Sequence, residues 1–159
     1  MNAVDINGRD ELRELYRELI LDHARSPRHF GKLADATHTA EGINPLCGDK
    51  LRLYLRLDDQ EKIDAASFEG SGCAISVASA SVMIDTVIGL DLSLALEYFR
   101  AVTGRMTNPG QDHGDNLDLG KIMAFDGVRE FPSRIKCATL AWHALNCAIH
   151  NQRTPASTE

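Results

Sequence analysis

Three of the four cysteines in this chain lie where the backbone is predicted to turn or where a helix is predicted to begin. Cys47 lies in the segment Asn-Pro-Leu-Cys-Gly-Asp at 44–49, in which proline and glycine predict a tight, exposed turn. Cys73 follows Gly-Ser-Gly and precedes a predicted helix, whose N-terminus favours the thiolate form of a cysteine. Cys137 lies in the first turn of the last predicted helix, directly after Lys136, and this positive charge also favours a thiolate. A thiolate is both a nucleophile and a metal ligand, so either chemistry is open to these residues.

Asp49 adds a carboxylate two residues after the first of these thiols. In an extended backbone, residues two apart point to the same side, so the Asp49 carboxylate is expected to approach the Cys47 sulfur. Zinc binds four donors drawn from sulfur, nitrogen and oxygen, and three thiolates with one carboxylate satisfy it. The residues alone therefore predict a metal site or a persulfide site. The alternatives are an aspartate that bonds its own turn and cysteines that only pack, because the stronger Cys-x-x-Cys spacing does not occur.

The fourth cysteine and the histidines are not expected to join this group. Cys147 lies ten residues beyond Cys137 on the same predicted helix. That spacing separates the two by about 15 Å along the helix axis. Cys147 is therefore predicted to pack in the core. Five histidines lie in polar surroundings, and most of these are predicted to lie on the surface: His23, His29, His38, His113 and His150.

Composition and charge limit the class of protein. The chain has 159 residues, of which 43% are hydrophobic and 25% charged, a balance that predicts a single globular domain over 1–159. The net charge of −6 argues against a nucleic-acid partner. No apolar run is long enough to span a membrane, and the first residues lack the apolar segment of a secretory signal. We therefore expect a cytoplasmic protein, in which free thiols are normal.

Hydrophobic periodicity predicts the elements that position these residues. A helix that begins after an N-cap at Asp10, behind a loose lead-in, is indicated by an apolar stripe at Leu12, Leu15, Tyr16, Leu19 and Ile20. Alternation over 51–57 predicts a half-buried strand, with a further strand on either side, near 37–43 and over 62–69.

The second half of the chain is predicted to be helical. The first two expected elements are a helix over 74–88 and a helix that is capped by Asp91 or Ser93 and closed by Gly104. A polar loop over 104–116 and a short helix around 117–125, ended by Gly127, are expected next. The chain is then expected to end in a last helix capped by Ser133 and a frayed tail after Asn151. Strands followed by helices, with one helix in front, predict an α+β fold in which helices cover one face of a three-stranded antiparallel sheet.

The three cysteine segments together resemble the IscU/NifU-like family. The resemblance rests on Asn-Pro-Leu-Cys-Gly-Asp at 44–49, Gly-Ser-Gly-Cys-Ala-Ile-Ser at 70–76 and Arg-Ile-Lys-Cys at 134–137, and it covers roughly residues 11–150. Within the family the chain is similar to the SufU branch, because the segment between the second and third cysteines is long. In addition, Lys136 stands where scaffold-type IscU proteins carry a histidine, and their Leu-Pro-Pro-Val-Lys segment is absent.

This resemblance implies a SufE/NifU-like fold and a zinc ion held by Cys47, Asp49, Cys73 and Cys137. It also implies a role in iron–sulfur cluster assembly. Cys47 would accept persulfide sulfur from a SufS-like cysteine desulfurase, whose pyridoxal phosphate belongs to that partner, and pass the sulfur to a downstream assembly scaffold. The chain would then be a zinc-dependent sulfurtransferase or sulfur acceptor. We further predict that Arg134 steers the anionic persulfide, the alternative being an ordinary surface arginine.

Three other functions remain to be weighed against this one. A scaffold would build a transient iron–sulfur cluster on the same ligands. A structural zinc module would use the metal only to fold. A hydrolase with a cysteine nucleophile is disfavoured, because no general base lies close in sequence to these cysteines.

Overall fold

A long helix precedes the sheet in this protein. A computed structural model describes residues 3–108, 116–151 and 154–158, with side chains from residue 11 onward. The first helix, α1, spans Ala3–Arg25, so the predicted lead-in and the N-cap at Asp10 are wrong. No proline interrupts the early segment, and its single glycine costs a helix only about 1 kcal/mol.

Within the described residues, four strands form one sheet in the order β3-β2-β1-β4. They are β1 (His38–Asn44), β2 (Asp49–Leu57), β3 (Ile63–Ser71) and β4 (Ala156–Ser157). The first three pair antiparallel, as predicted. The tail is not frayed, because β4 pairs parallel with β1 and Ala156 is buried. An edge strand has unpaired backbone groups, and the tail satisfies part of that edge.

The helices follow the third strand along the chain. They are α2 (Ala74–Val87), α3 (Leu92–Thr107), a 3₁₀ helix (Gly120–Glu130) and α4 (Pro132–Ile149). Asp91 caps α3 as predicted, since its Oδ1 accepts a hydrogen bond of 2.8 Å from the Leu94 N–H.

Three of the predicted helix boundaries are wrong. Helix α3 continues through Gly104, the 3₁₀ helix includes Gly127, and Ser133 lies inside α4 rather than at its N-cap. Proline at the first helical position starts α4, where its missing N–H has no intrahelical partner to lose. Of the polar loop predicted over 104–116, residues 109–115 lie outside the described residues.

The core lies between the sheet and the helices that cover it. Helix α4 contacts β1 and β2, helix α2 contacts β3, and α1 packs on α2. The largest fully buried side chains come from both layers and include Leu53, Leu55, Phe68, Leu140, Trp142 and Leu145. This arrangement confirms the α+β class and brings the N-terminal ends of α2 and α4 to the end of the sheet where β1 joins β2. None of the helices in the described part of the chain has the length and apolar character needed to cross a membrane.

His23 joins α1 to α2 in the interior. Its side chain is 1% exposed, so the prediction of a surface histidine is wrong at this position. The His23 Nδ1 atom lies 2.7 Å from Ser81 Oγ, which also accepts a hydrogen bond from the Arg28 N–H. Burial lowers the pKa of His23, as do the charges of Arg28 and Lys121, whereas Asp85 and Asp22 act in the opposite direction.

The folded protein should lose stability as the pH falls below about 6.5, the ordinary pKa of histidine. The unfolded chain takes up a proton there while the folded chain keeps His23 neutral. Acid therefore favours unfolding by up to about 1.4 kcal/mol per pH unit for one such group, and the contribution is complete above the unfolded pKa. His143 acts in the same direction, because burial also lowers its pKa.

Urea unfolding at neutral and mildly acidic pH checks this expectation. Wild type and His23→Gln have the same candidate metal ligands, so the comparison isolates the imidazole. The variant should lose less stability than wild type between the two pH values. Equal losses would contradict the assignment of this pH dependence to His23.

Candidate metal centre

Four predicted site residues come from three separate stretches of backbone at one end of the sheet. Cys47 lies in the turn 45–48 between β1 and β2, and Asp49 is the first residue of β2. Cys73 is the N-cap of α2, as the sequence predicted for a thiol at a helix start. Cys137 is the sixth residue of α4 and lies in its second turn rather than in the first as predicted, because the helix already begins at Pro132.

The side-chain donors of these residues converge. The ligand atoms of Cys47, Asp49 and Cys137 all lie within 4.8 Å of one another. The sulfurs of Cys47 and Cys137 are 3.6 Å apart. Cys73 lies beside this trio, with its Sγ 3.9 Å from Asp49 Oδ2. The structure thus brings three of the four predicted ligands within mutual reach, and it places Cys73 beside them against Asp49.

Cys47 and Asp49 do not meet through the extended geometry expected from the sequence. Gly48 between them has φ +70°, in the left-handed region that favours glycine. Asn44 pairs with Asp49 in the strand register, so the four residues between them form the hairpin loop that carries Cys47. The turn, rather than strand alternation, folds the Cys47 thiol back toward the Asp49 carboxylate.

Burial and charge at this point favour a cation. Asp49 is 1% exposed, and no ion pair joins it to a basic side chain in the described part of the chain. Burial raises the pKa of the Cys137 thiol above its usual range, and hydrogen bonds with Asp49, Cys73 and Cys47 raise it further. This direction is opposite to the thiolate that the sequence predicted beside Lys136, because burial outweighs the neighbouring charge. A buried carboxylate among thiols needs a compensating positive charge. A donor set of three sulfurs and one carboxylate oxygen fits zinc in number and type.

The Asp49 carboxylate is held by the start of α2. Its Oδ1 accepts a hydrogen bond of 2.8 Å from the Cys73 N–H, while the Cys73 sulfur accepts one of 3.4 Å from the Ser76 N–H. Gly72 makes this approach close, since a Cβ atom there would lie 2.6 Å from Asp49 Oδ1. The glycine at position 72 is therefore required by the carboxylate that it contacts.

Asn44 is a site residue whose individual role was not predicted from the sequence. Its side chain is fully buried, and its Nδ2 lies 3.3 Å from Asp49 Oδ2 and 3.5 Å from Cys137 Sγ, donating to both. Its Oδ1 is buried without a hydrogen-bond partner among the described residues. The only signal in the sequence is its place at the start of the Asn-Pro-Leu-Cys-Gly-Asp segment. The amide orients two of the candidate ligands without itself belonging to the donor set.

Asn44→Ala should weaken zinc binding by about 10–100-fold, the usual effect of removing a group that orients metal ligands. The variant loses the two donated hydrogen bonds, which leaves the buried Asp49 carboxylate with one fewer partner. Titration of zinc against a chromophoric chelator measures the affinity. Asn146→Ala, a half-buried asparagine on α4 away from these donors, is the control and should bind zinc like wild type. Equal affinities for the two variants would refute the orienting role.

The thiols differ in how readily another molecule can reach them. Cys47 and Cys73 are exposed, whereas Cys137 and Cys147 are buried. Cys73 is tied to its helix by the capping contact with Ser76, and the contact found for Cys47 is with the Cys137 sulfur. Cys147 lies in the core on α4, as expected from its spacing. Cys47 is therefore the thiol with the greatest freedom to meet a second protein.

Arg134 lies at the same mouth of the site. Its side chain is exposed, and its guanidinium stacks on the Phe131 ring with Cζ 4.6 Å from the ring centroid. It lines one groove together with Cys47, Cys73 and Cys137. This position is consistent with a cation that attracts an anion toward the thiols, and the steering role stays a prediction.

The fold and the donor set define a class of small α+β protein with a centre of thiols and one carboxylate. The family model of the NifU-like N terminal domain matches residues 15–138. The chain belongs to this IscU/NifU family, which confirms the prediction made from its three cysteine segments.

Similar proteins include both sulfurtransferases and scaffolds. The chain is 45% identical over 135 residues to the zinc-dependent sulfurtransferase SufU of Bacillus subtilis, covering 85% of this chain and 89% of that protein. It is 40% identical to the iron-sulfur cluster assembly scaffold protein IscU of Streptococcus pyogenes, covering 87% and 85%. A crystal structure from Fervidobacterium islandicum, described as an iron-sulfur cluster assembly scaffold protein for the SUF system, superimposes with a TM-score of 0.77 at 39% identity, covering 83% of this chain and 94% of that one.

Proposed function

We propose that this protein accepts persulfide sulfur on Cys47 from a cysteine desulfurase and passes it on to iron–sulfur cluster assembly. The observation that carries the proposal is the position of Cys47, an exposed thiol on a hairpin turn beside three further donors. The similarity to a relative named as a zinc-dependent sulfurtransferase supports the same function.

In this function Cys47, Asp49, Cys73 and Cys137 would hold a zinc ion. Bound zinc supplies the positive charge that keeps the thiols deprotonated, and a thiolate is the nucleophilic form of cysteine. The protein itself orients the carboxylate through the Cys73 N–H and Asn44, and it holds the Cys137 sulfur in the interior.

Sulfur transfer is an exchange between thiolate and persulfide. The Cys47 thiolate attacks the terminal sulfur of the persulfide on the desulfurase, and a new sulfur–sulfur bond forms on Cys47. The bond between the two donor sulfurs breaks, and the inner sulfur leaves as the desulfurase thiolate. One sulfur–sulfur bond breaks for each one that forms, so the oxidation level of sulfur does not change and no external oxidant or reductant is needed. Arg134 would attract the anionic donor by its charge.

The partner in this proposal is a SufS-like, pyridoxal-phosphate-dependent desulfurase, and the acceptor is a downstream assembly protein. We place the reaction in the cytoplasm, where cysteine thiols stay reduced.

Metal analysis combined with a desulfurase assay tests the proposal. The purified protein should contain close to one zinc per chain. It should also raise the rate at which the desulfurase forms alanine from cysteine. Removing zinc with a chelator should abolish this stimulation, and adding zinc back should restore it. A zinc-loaded protein that leaves the desulfurase rate unchanged would refute the proposal.

The second candidate is a scaffold function, favoured by the similarity to relatives named as IscU scaffolds. Here a transient iron–sulfur cluster would form on the same ligands. Anaerobic reconstitution with iron and sulfide separates the two functions. A stable cluster with cysteine-dependent absorbance would support the scaffold, whereas zinc that iron does not displace supports sulfur transfer.

A further inference from the structure

A groove connects the surface of α1 to the cysteines. It has a volume of about 1090 Å³ and lies between α1 and the segment where the 3₁₀ helix meets α4. Its α1 wall extends from Leu12 to Leu21, a length of about 14 Å at the helical rise per residue. An extended peptide of about four residues has that length.

The apolar part of this wall is exposed in a way that the sequence did not predict. Leu12 and Leu15 belong to the stripe expected to face the core, yet they are 47% and 58% exposed. Tyr16 and Ile20, further along the stripe, are half-buried and line the groove. The N-terminal half of the stripe thus has no covering element in the described part of the chain. A single leucine on a surface is ordinary, but a stripe that borders a groove favours a binding surface.

The groove is basic although the protein is acidic. Four arginines line it, Arg13, Arg17, Arg129 and Arg134, against two acidic residues, Asp126 and Glu130. Asp126 is already paired with Arg105, at 2.5 Å. Among the described residues, no ion pair joins any of the four arginines to a carboxylate. The net charge of the whole chain is −6, so this local excess of positive charge runs against the average.

We propose that the groove binds an extended acidic segment of the protein that donates the persulfide, with Arg13 and Arg17 contacting it from α1 and Arg129 and Arg134 from the opposite wall. This inference rests on the proposed function for the identity of the partner. A protein segment is the occupant that the shape and charge favour, because the α1 wall has the length of a short extended peptide and arginines lie on both walls of the groove. A nucleic acid fits poorly, because the overall negative charge repels a phosphate backbone.

The groove also places its occupant next to the reacting thiol. Cys47 and Cys73, the two exposed thiols, form part of its lining. A segment bound along α1 would hold its persulfide near Cys47. Complementary charge around such a surface increases mainly the rate of association, and this effect weakens as salt screens the charges.

Charge reversal on α1 tests the proposal by binding rather than by sulfur transfer. The test variant is Arg13→Glu with Arg17→Glu, and the matched control is Lys32→Glu with Arg100→Glu, two exposed residues outside the groove. Both variants change the net charge by the same amount. Calorimetry with a cysteine desulfurase should give a Kd at least about tenfold higher for the test variant at low salt, and the difference should shrink at high salt. The control should stay within about twofold of wild type, as expected for surface charges outside the interface.

A conservative variant and the zinc content of each variant test whether misfolding explains a change in Kd. Arg13→Lys with Arg17→Lys should keep most of the affinity, and all variants should retain the zinc content of wild type. Equal Kd values for the test and control variants would overturn the groove proposal while leaving sulfur transfer in place. Failure of the wild type to bind or stimulate the desulfurase would overturn both.

Discussion

Cys47→Ala should reduce the desulfurase rate to that of the desulfurase alone and prevent any gain of sulfur by the protein. The physical reason is access, because Cys47 is exposed on a turn whereas Cys137 is buried and Cys73 caps α2. Mass spectrometry after incubation with the desulfurase and cysteine should find one added sulfur on wild type, located on the peptide that contains Cys47.

The loss of Cys47 also removes a candidate metal ligand, so a second variant separates the two effects. Cys47→Asp keeps an anionic donor at this position but cannot carry a persulfide. It should therefore retain more zinc than Cys47→Ala and be equally inactive. Cys147→Ala removes a thiol from the core on α4 and is the control for thiol number. Full stimulation by either Cys47 variant, or added sulfur found only on another cysteine, would exclude Cys47 as the acceptor.

Gly72→Ala should weaken zinc binding by about 10–100-fold, in line with other changes to groups that orient metal ligands. A Cβ atom at this position would lie 2.6 Å from Asp49 Oδ1, closer than real Cβ contacts allow. The carboxylate must move, and it then loses the hydrogen bond from the Cys73 N–H. A buried carboxylate with fewer partners also destabilises the fold, by about 1–3 kcal/mol.

Gly127→Ala is the matched control, because nothing lies within 4 Å of a Cβ atom at that glycine. Both variants add one methyl group, so any difference reports the contact with Asp49. Competition with a zinc chelator gives the affinity, and urea unfolding of the metal-free proteins gives the stability. Wild-type affinity in Gly72→Ala would show that the Asp49 carboxylate does not depend on its place beside α2.

The elements with strong local periodicity were predictable from the sequence. The alternation of β2 and the small apolar residues of α2 each lead to the observed element within about two residues, the usual uncertainty of such boundaries. The ends of α3 and of the 3₁₀ helix were not predictable from the sequence. A glycine inside a helix lowers the stability of the helix by only about 1 kcal/mol, and packing can outweigh this loss. The pairing of β4 with β1 was also missed, since two residues have no detectable period.

The residues of the candidate site also differ in whether the neighbouring sequence could identify them. The sequence indicated Cys47, Asp49, Cys73 and Cys137 because turns and helix starts depend on a few adjacent residues. It did not indicate the individual role of Asn44, whose two hydrogen bonds join a strand end to a carboxylate and to a distant helix. It also predicted a buried stripe on α1 whose first half is exposed, because periodicity shows which face is apolar but not what covers it.

The sequence by itself determined the available chemistry, namely three thiols and one carboxylate placed at a predicted turn and at two predicted helix starts. Only the tertiary structure decided that Cys47 and Cys137, 90 positions apart, bring their sulfurs to 3.6 Å, and that one is exposed while the other is buried. It also decided that four arginines from both ends of the chain line a single groove in an acidic protein. The reason is physical, since local conformation follows from neighbouring residues, whereas proximity, burial and surface charge follow from how the helices pack on the sheet.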